Sequence, residues 1–204
     1  RSSAVFSPIS RESGLILNNL LLVVSTIVVF IGTIWPLVAE LILGRKLSVG
    51  APFFEIAFTP FMVVLAIFLP LGAILPWKRA QILRAGSPLI GALSLSVAIG
   101  LLIWSLQTGG RILAPIGLAL SAWVILGSLT DLLVRCRMID IGFSAGLRRL
   151  INLTRADWGK TFAHIGLGLT IFGISAITAW ETEDIRVAKI GEEFEVSGYT
   201  FIFE

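Results

Sequence analysis

Long runs of apolar residues dominate this chain, the first of them, residues 15–39, without a single charge. A helix that crosses a bilayer needs about 20 such residues, and five stretches reach or approach that length: residues 15–39, 60–77, 88–106, 112–133 and 159–180. Ser10 is placed to cap the first helix, and Glu12 follows where the helix dipole favours an anion. The second stretch is short, and Pro70 within it predicts a kink. Pro88 suits the first turn of the third, and residues 107–111 are short enough to join the third and fourth as a tight helical hairpin.

Two segments follow another rhythm. In residues 135–158, Leu147, Leu150 and Ile151 recur at helical spacing with Arg148 and Arg149 between them, the pattern of an amphipathic helix lying on a leaflet. In residues 181–204, Phe194, Val196, Tyr199, Phe201 and Phe203 approach strand alternation around a Ser197-Gly198 turn. That last segment carries seven of the thirteen acidic residues and reads as the opening hairpin of an extracytoplasmic β domain. The fold expected is therefore an all-α polytopic membrane protein of about five transmembrane helices (residues 1–180), followed by the start of a β domain. The chain begins with Arg1 and ends within a strand-like pattern, as a cut from a longer protein would.

Composition agrees. Hydrophobic residues make up 56% of the 204 positions, charged residues 14%, and the mean hydropathy is +0.93; a soluble domain carries about 25% charge and could not hide so much apolar surface. Orientation follows from lysine and arginine. With the N-terminus in the cytoplasm, eleven of the sixteen fall on the cytoplasmic side, as the positive-inside rule requires, and the C-terminus is periplasmic. Trp35, Trp77, Trp104, Trp158 and Trp180 fall near span ends, where an indole rests at headgroup level; only Trp123 lies mid-span. A single cysteine, Cys136, excludes an internal disulfide. No basic stretch is interleaved with aromatics as nucleic-acid binding would require.

One residue stands out chemically. His164 is the only histidine and lies about five residues into the fifth span, roughly 7–8 Å deep at the α-helical rise. Ionisable groups inside spans are costly and mark function, and neutral imidazole is the common axial ligand of haem iron. Three roles are open on residue type alone: a haem or metal ligand, a hydrogen-bonded packing histidine, or a proton relay. Gly168, one turn further on, would leave space beside the imidazole for a flat ring, though glycine also serves close helix packing. A low-spin b-type site needs a second axial ligand, which would come from outside this chain. Asp131 is expected as a solvated helix-end charge, as is Glu40; Asn18 and Asn19 are expected to hydrogen-bond between helices. The segment 44–55 is too apolar for a free connector and should lie on the membrane surface or cover a cavity. No zinc spacing or phosphate-binding loop is present.

Several of these segments together resemble a known family. Ser10-Arg11-Glu12 leads into Leu17-Asn18-Asn19-Leu20-Leu21-Leu22; Gly32-Thr33-Ile34-Trp35-Pro36-Leu37 follows, then Lys46-Leu47-Ser48-Val49-Gly50-Ala51-Pro52-Phe53-Phe54. These resemble the C-terminal part of the CcmF/NrfE family, the cytochrome c-type biogenesis haem lyase subunit of bacterial system I. Phe162-Ala163-His164-Ile165-Gly166-Leu167-Gly168 is similar to the family's late membrane helix bearing a b-haem ligand, and Val196-Ser197-Gly198-Tyr199-Thr200-Phe201 to the opening of its periplasmic domain. The resemblance implies a multi-pass protein of the bacterial inner membrane that takes haem from a periplasmic haem chaperone. With a subunit that presents apocytochrome c, it promotes thioether attachment of that haem. It also implies a separate b haem, with His164 as one of its two axial ligands. The family's tryptophan-rich haem-binding segment, its two periplasmic histidines and its other membrane histidine are not among these 204 residues, and Glu55 stands where the family pattern has Asn. The apolar segment ending in Phe53-Phe54 is then expected to shield the haem edge from water. Two other readings fit the residues: part of a secondary transporter or haem exporter, and a structural membrane scaffold in which His164 only packs.

Overall fold

The computed structural model describes residues 10–75, 86–106, 113–180, 187, 189–196 and 198–202. Eight helices and one hairpin are found among them: α1 (Arg11–Leu43), α2 (Ala51–Ala57), α3 (Thr59–Ile74), α4 (Leu89–Leu106), α5 (Leu113–Cys136), α6 (Met138–Ile141), α7 (Phe143–Ile151), α8 (Arg155–Trp180), then β1 (Glu193–Val196) and β2 (Tyr199–Ile202). Helices α1, α4, α5 and α8 are long and apolar enough to cross a bilayer. The protein is an all-α polytopic membrane protein with a small two-stranded sheet. The second expected span is α3, which has 16 residues and so runs about 24 Å, shorter than the other four. The 107–111 connection, the basic cluster of Lys78, Arg79 and Arg84, and Trp77 lie outside the described residues.

Local rules set the ends. Ser10 accepts a hydrogen bond from the Ser13 N–H at 3.3 Å and starts α1 as expected. Gly44 ends it at φ +62°, a left-handed turn that costs glycine nothing, with its N–H donating to the Glu40 carbonyl. Helix α8 begins four residues before the expected span because Thr154 and Asp157 cap each other: the Thr154 hydroxyl donates to the Asp157 carboxylate at 2.6 Å and accepts from the Asp157 N–H at 3.2 Å. The segment expected as one amphipathic stretch is divided at Arg137 and Gly142, both at positive φ, into the C-terminal end of α5, α6, α7 and the first turn of α8. On α7, Phe143, Leu147 and Ile151 form an exposed apolar ridge.

Helix α5 is the axis of the bundle. Helices α3, α4 and α8 all pack on it, α1 packs on α3, and α6 and α7 cover its C-terminal end. The core lies where Ala66 of α3 and Leu89 and Ala92 of α4 meet Trp123 and Val124 of α5. Trp123, the one tryptophan expected mid-span, is 8% exposed, and its indole N–H donates to the Ile67 carbonyl at 3.0 Å, binding α5 to α3. Close approach depends on missing side chains, the means by which helices associate in lipid. A Cβ on Gly127 would stand 2.5 Å from the Pro70 ring, and one on Gly100 2.8 Å from Ala119. Two hydroxyls buried in the spans return to their own helix: Ser96 to the Ala92 carbonyl and Ser128 to Val124, each at 2.7 Å. Trp35, Trp104 and Trp180 are half or more exposed on the outside of the bundle, as headgroup-level anchors would be.

The apolar segment 44–55 is not a loop throughout. Pro52 opens α2, which folds back so that Phe53 and Phe54, edge to face at 5.2 Å between ring centres, close over Gly32 of α1. A Cβ there would lie 2.5 Å from Phe53. The Gly32 and Phe53-Phe54 motifs, about twenty residues apart in the chain, are thus two halves of one contact. The C-terminal hairpin pairs antiparallel with Phe194 opposite Phe201, their rings stacked at 5.8 Å, and Gly198 turning at φ +81°.

Candidate functional site

His164 is half-buried on α8 and lines an open cavity of about 270 Å³ together with the first three turns of α1 and the C-terminal half of α3. The walls are mostly leucine, with Phe68, Asn18, Arg11 and Lys160. Helix α1 reaches this region by crossing α3 where Gly14 meets Gly72, a Cβ on Gly14 lying 3.7 Å from the Gly72 Cα.

Two cross-links to α5 bracket the imidazole. One turn before it, Lys160 forms an ion pair with Asp131 of α5. One turn after it, the Ser121 hydroxyl of α5 donates to the Gly168 carbonyl at 2.8 Å, and a Cβ on Gly168 would stand 2.5 Å from Ile125. Helix α8 is therefore fixed in rotation and height on both sides of His164. A helical residue and those four before and after it are neighbours on one face, so the two clamps act on the turn that carries the ring.

Four expectations are corrected here. Asp131 is not solvated: it is 3% exposed and accepts from Arg135 at 3.1 and 3.2 Å as well as from Lys160. Arg135 in turn reaches Asp157 of α8 at 3.3 Å, making a four-charge cluster of zero net charge between two spans. Its signal in the sequence is the stripe Ser121, Val124, Gly127, Ser128, Asp131, all buried on one face of α5. Gly168 does not leave open space beside the ring; Ile125 fills it, and the glycine is there for helix packing. Asn18 does not bond across helices: its side chain donates to Asn19 at 3.4 Å while lining the cavity. Phe53 and Phe54 sit on Gly32, eleven residues beyond the cavity's last α1 residue, Leu21, and do not line it. Glu40 is exposed, as expected.

Among the described residues no group of three or more His, Cys, Asp or Glu side chains is placed to hold a metal ion. The donor set at His164 fits a haem nonetheless. A porphyrin iron already holds four ring nitrogens and asks the protein for one or two axial ligands in an apolar slot, and a single imidazole facing leucine walls supplies one. The only histidine of this chain cannot supply both.

The fold and site define a polytopic helical membrane protein with one imidazole clamped against an apolar cavity. No protein-family model and no solved structure matches the chain. Curated relatives do. The cytochrome c-type biogenesis protein ccl1 of Rhodobacter capsulatus is 51% identical over 98% of this chain and 30% of its own length. CycK of Rhizobium meliloti is 40% identical over the whole chain and 30% of its own length, and CcmF of Escherichia coli is 32% identical over 95% and 28%. The chain belongs to the CcmF family of cytochrome c-type biogenesis proteins, to which CycK, ccl1 and NrfE also belong, and it spans about 30% of the length of the first of these relatives.

Proposed function

We propose that this chain is the haem-holding membrane portion of a cytochrome c maturation protein, with His164 as one axial ligand of a b haem. The observation that carries the reading is the placement of the only histidine: it faces an apolar cavity between α1, α3 and α8 while clamps one turn to either side hold its helix on α5. When bound, the haem supplies one-electron redox chemistry that can keep a second, delivered haem iron reduced. The chain's own contribution is to fix the imidazole and exclude water from its ring. The remaining wall and the second axial ligand come from sequence outside this chain.

In this reading the protein lies in the bacterial inner membrane with α7 on the cytoplasmic side and the β1–β2 hairpin in the periplasm. It belongs to a haem lyase complex that takes haem from a periplasmic haem chaperone. Together with the subunit presenting apocytochrome c, it promotes thioether attachment. The family membership supports the role in cytochrome c biogenesis; the asymmetry of lysine and arginine supports the orientation.

The test is a reduced-minus-oxidised absorption spectrum of the purified full-length protein beside its His164→Ala form. Loss of the b-type signal, or conversion to a high-spin spectrum, is expected in the variant. An unchanged spectrum would remove His164 from the haem site.

A further inference from the structure

Helix α7 carries two surfaces that the haem reading does not use. At about 100° per residue, Phe143, Leu147, Leu150 and Ile151 fall within an arc of about 100°, with Arg148 about 60° beyond one edge and Arg149 about 100° beyond the other. Gly146, between Leu150 and Arg149 around the helix, takes the contact with the protein: a Cβ there would stand 2.5 Å from the Met138 side chain of α6. The ridge points outward, and Phe143 and Ile151 at its two ends are each 74% exposed.

Charge on this stretch is one-sided. Residues 141–156 hold Arg148, Arg149 and Arg155 and no carboxylate. All three arginines are exposed, and none has an ion pair among the described residues. The carboxylates of the neighbouring helices are engaged elsewhere: Asp140 of α6 by Arg137 at 3.2 Å, Asp131 of α5 by Arg135 and Lys160, and Asp157 of α8 by Arg135. Trp158, stacked on Phe162 at 5.5 Å, lies at the same end of the bundle, the level an indole takes at a headgroup boundary. An apolar ridge flanked by arginines is complementary to a partner that is apolar within and negative at its surface, which describes a leaflet of acidic phospholipid.

We propose that α7 is a site for anionic phospholipid: Phe143, Leu147 and Ile151 enter the leaflet, and Arg148 and Arg149 hold negatively charged headgroups at its rim. The inference adds selection to mere contact with a leaflet, since an acidic lipid is taken over a zwitterionic one. Helix α7 packs on α5, so lipid held there also holds the end of the axial helix at the membrane surface. The site is independent of haem ligation at His164, and either can fail without the other.

The experiment places an NBD fluorophore on Ile151→Cys in the full-length protein, with the identically treated parent as background, in phosphatidylcholine nanodiscs. Phosphatidylglycerol or phosphatidylcholine bearing a doxyl quencher near the headgroup is then added in increasing amounts. With α7 otherwise unaltered, the acidic lipid should reach half-maximal quenching at a mole fraction at least about fivefold lower, the factor supplied by one arginine near an anionic surface. Arg148→Gln with Arg149→Gln should bring the two lipids together, Arg148→Lys with Arg149→Lys should keep most of the preference, and about 0.5 M salt should shrink it. The salt series uses the native arginines and so tests the inference even if the glutamine pair disturbs folding. Equal quenching by the two lipids with both arginines present would overturn the proposal, as would an undiminished preference without them or in salt. Quenching by neither lipid would also overturn it, the emission telling whether water or another protein surface covers the ridge.

Discussion

Gly127 and Gly166 show how little residue type says without a neighbour. A Cβ at 127 meets the Pro70 ring, which cannot swing aside; at 166 nothing stands within 4 Å. Gly127→Ala should therefore cost roughly 1–3 kcal/mol by overpacking, seen as a lower thermal midpoint in detergent. Gly166→Ala should be neutral or slightly stabilising, because alanine is the better helix former. Both glycines look alike in the sequence, and a hydropathy pattern has no means of telling the seam from the lipid. His164 was legible for the opposite reason: an imidazole in a span needs an explanation wherever it points. At Gly168 the space that a missing side chain leaves is taken by Ile125 of α5, a neighbour more than forty residues away in the chain that the spacing of His164 and Gly168 does not reveal.

Elements were legible where length and apolarity suffice. Helices α1, α4, α5 and α8 follow directly from uncharged runs, and the hairpin from its alternation. What the pattern could not give is pairing between elements that bury polar or irregular sequence. Segment 44–55 is legible only as an apolar stretch that lies on the membrane surface or covers a cavity, because its helix is held by a glycine on α1 rather than by periodicity. Asp131 was read as solvated because its partner Lys160 lies 29 residues away. The consequence is measurable at the α5–α8 seam. Asp131→Asn leaves Lys160 and Arg135 without their shared anion and should destabilise by roughly 3–5 kcal/mol. Replacing Asp131 and Lys160 together by leucine should recover a large part of that loss. Denaturation of the wild type and the two variants in the same detergent checks the ordering.

For the whole molecule, the asymmetry of lysine and arginine predicts an orientation that accessibility can test. Arg148 lies on α7 and Tyr199 on β2, both exposed, at opposite ends of α8. With the cluster-free ends of the bundle placed by the positive-inside rule, a cysteine at position 199 should react with a membrane-impermeant maleimide in intact spheroplasts. A cysteine at 148 should react only after permeabilisation. Cys136, which is fully buried, should stay silent in both and need not be removed. The reverse labelling pattern would invert the topology and with it the compartment of the hairpin.

The four-charge cluster also bears on the order in which the protein is made. Asp131 and Arg135 are one turn apart on α5, and Asp157 and Lys160 one turn apart on α8, so each of the four charges has an opposite charge on its own helix before the two helices meet. Once both are in the bilayer the pairs are shared across the seam, Lys160 with Asp131 and Arg135 with Asp157. The short helices α6 and α7 are synthesised in the interval between them. During that interval Arg135 can already neutralise Asp131 on α5, and docking of α8 keeps that pair and adds Lys160 and Asp157 to it.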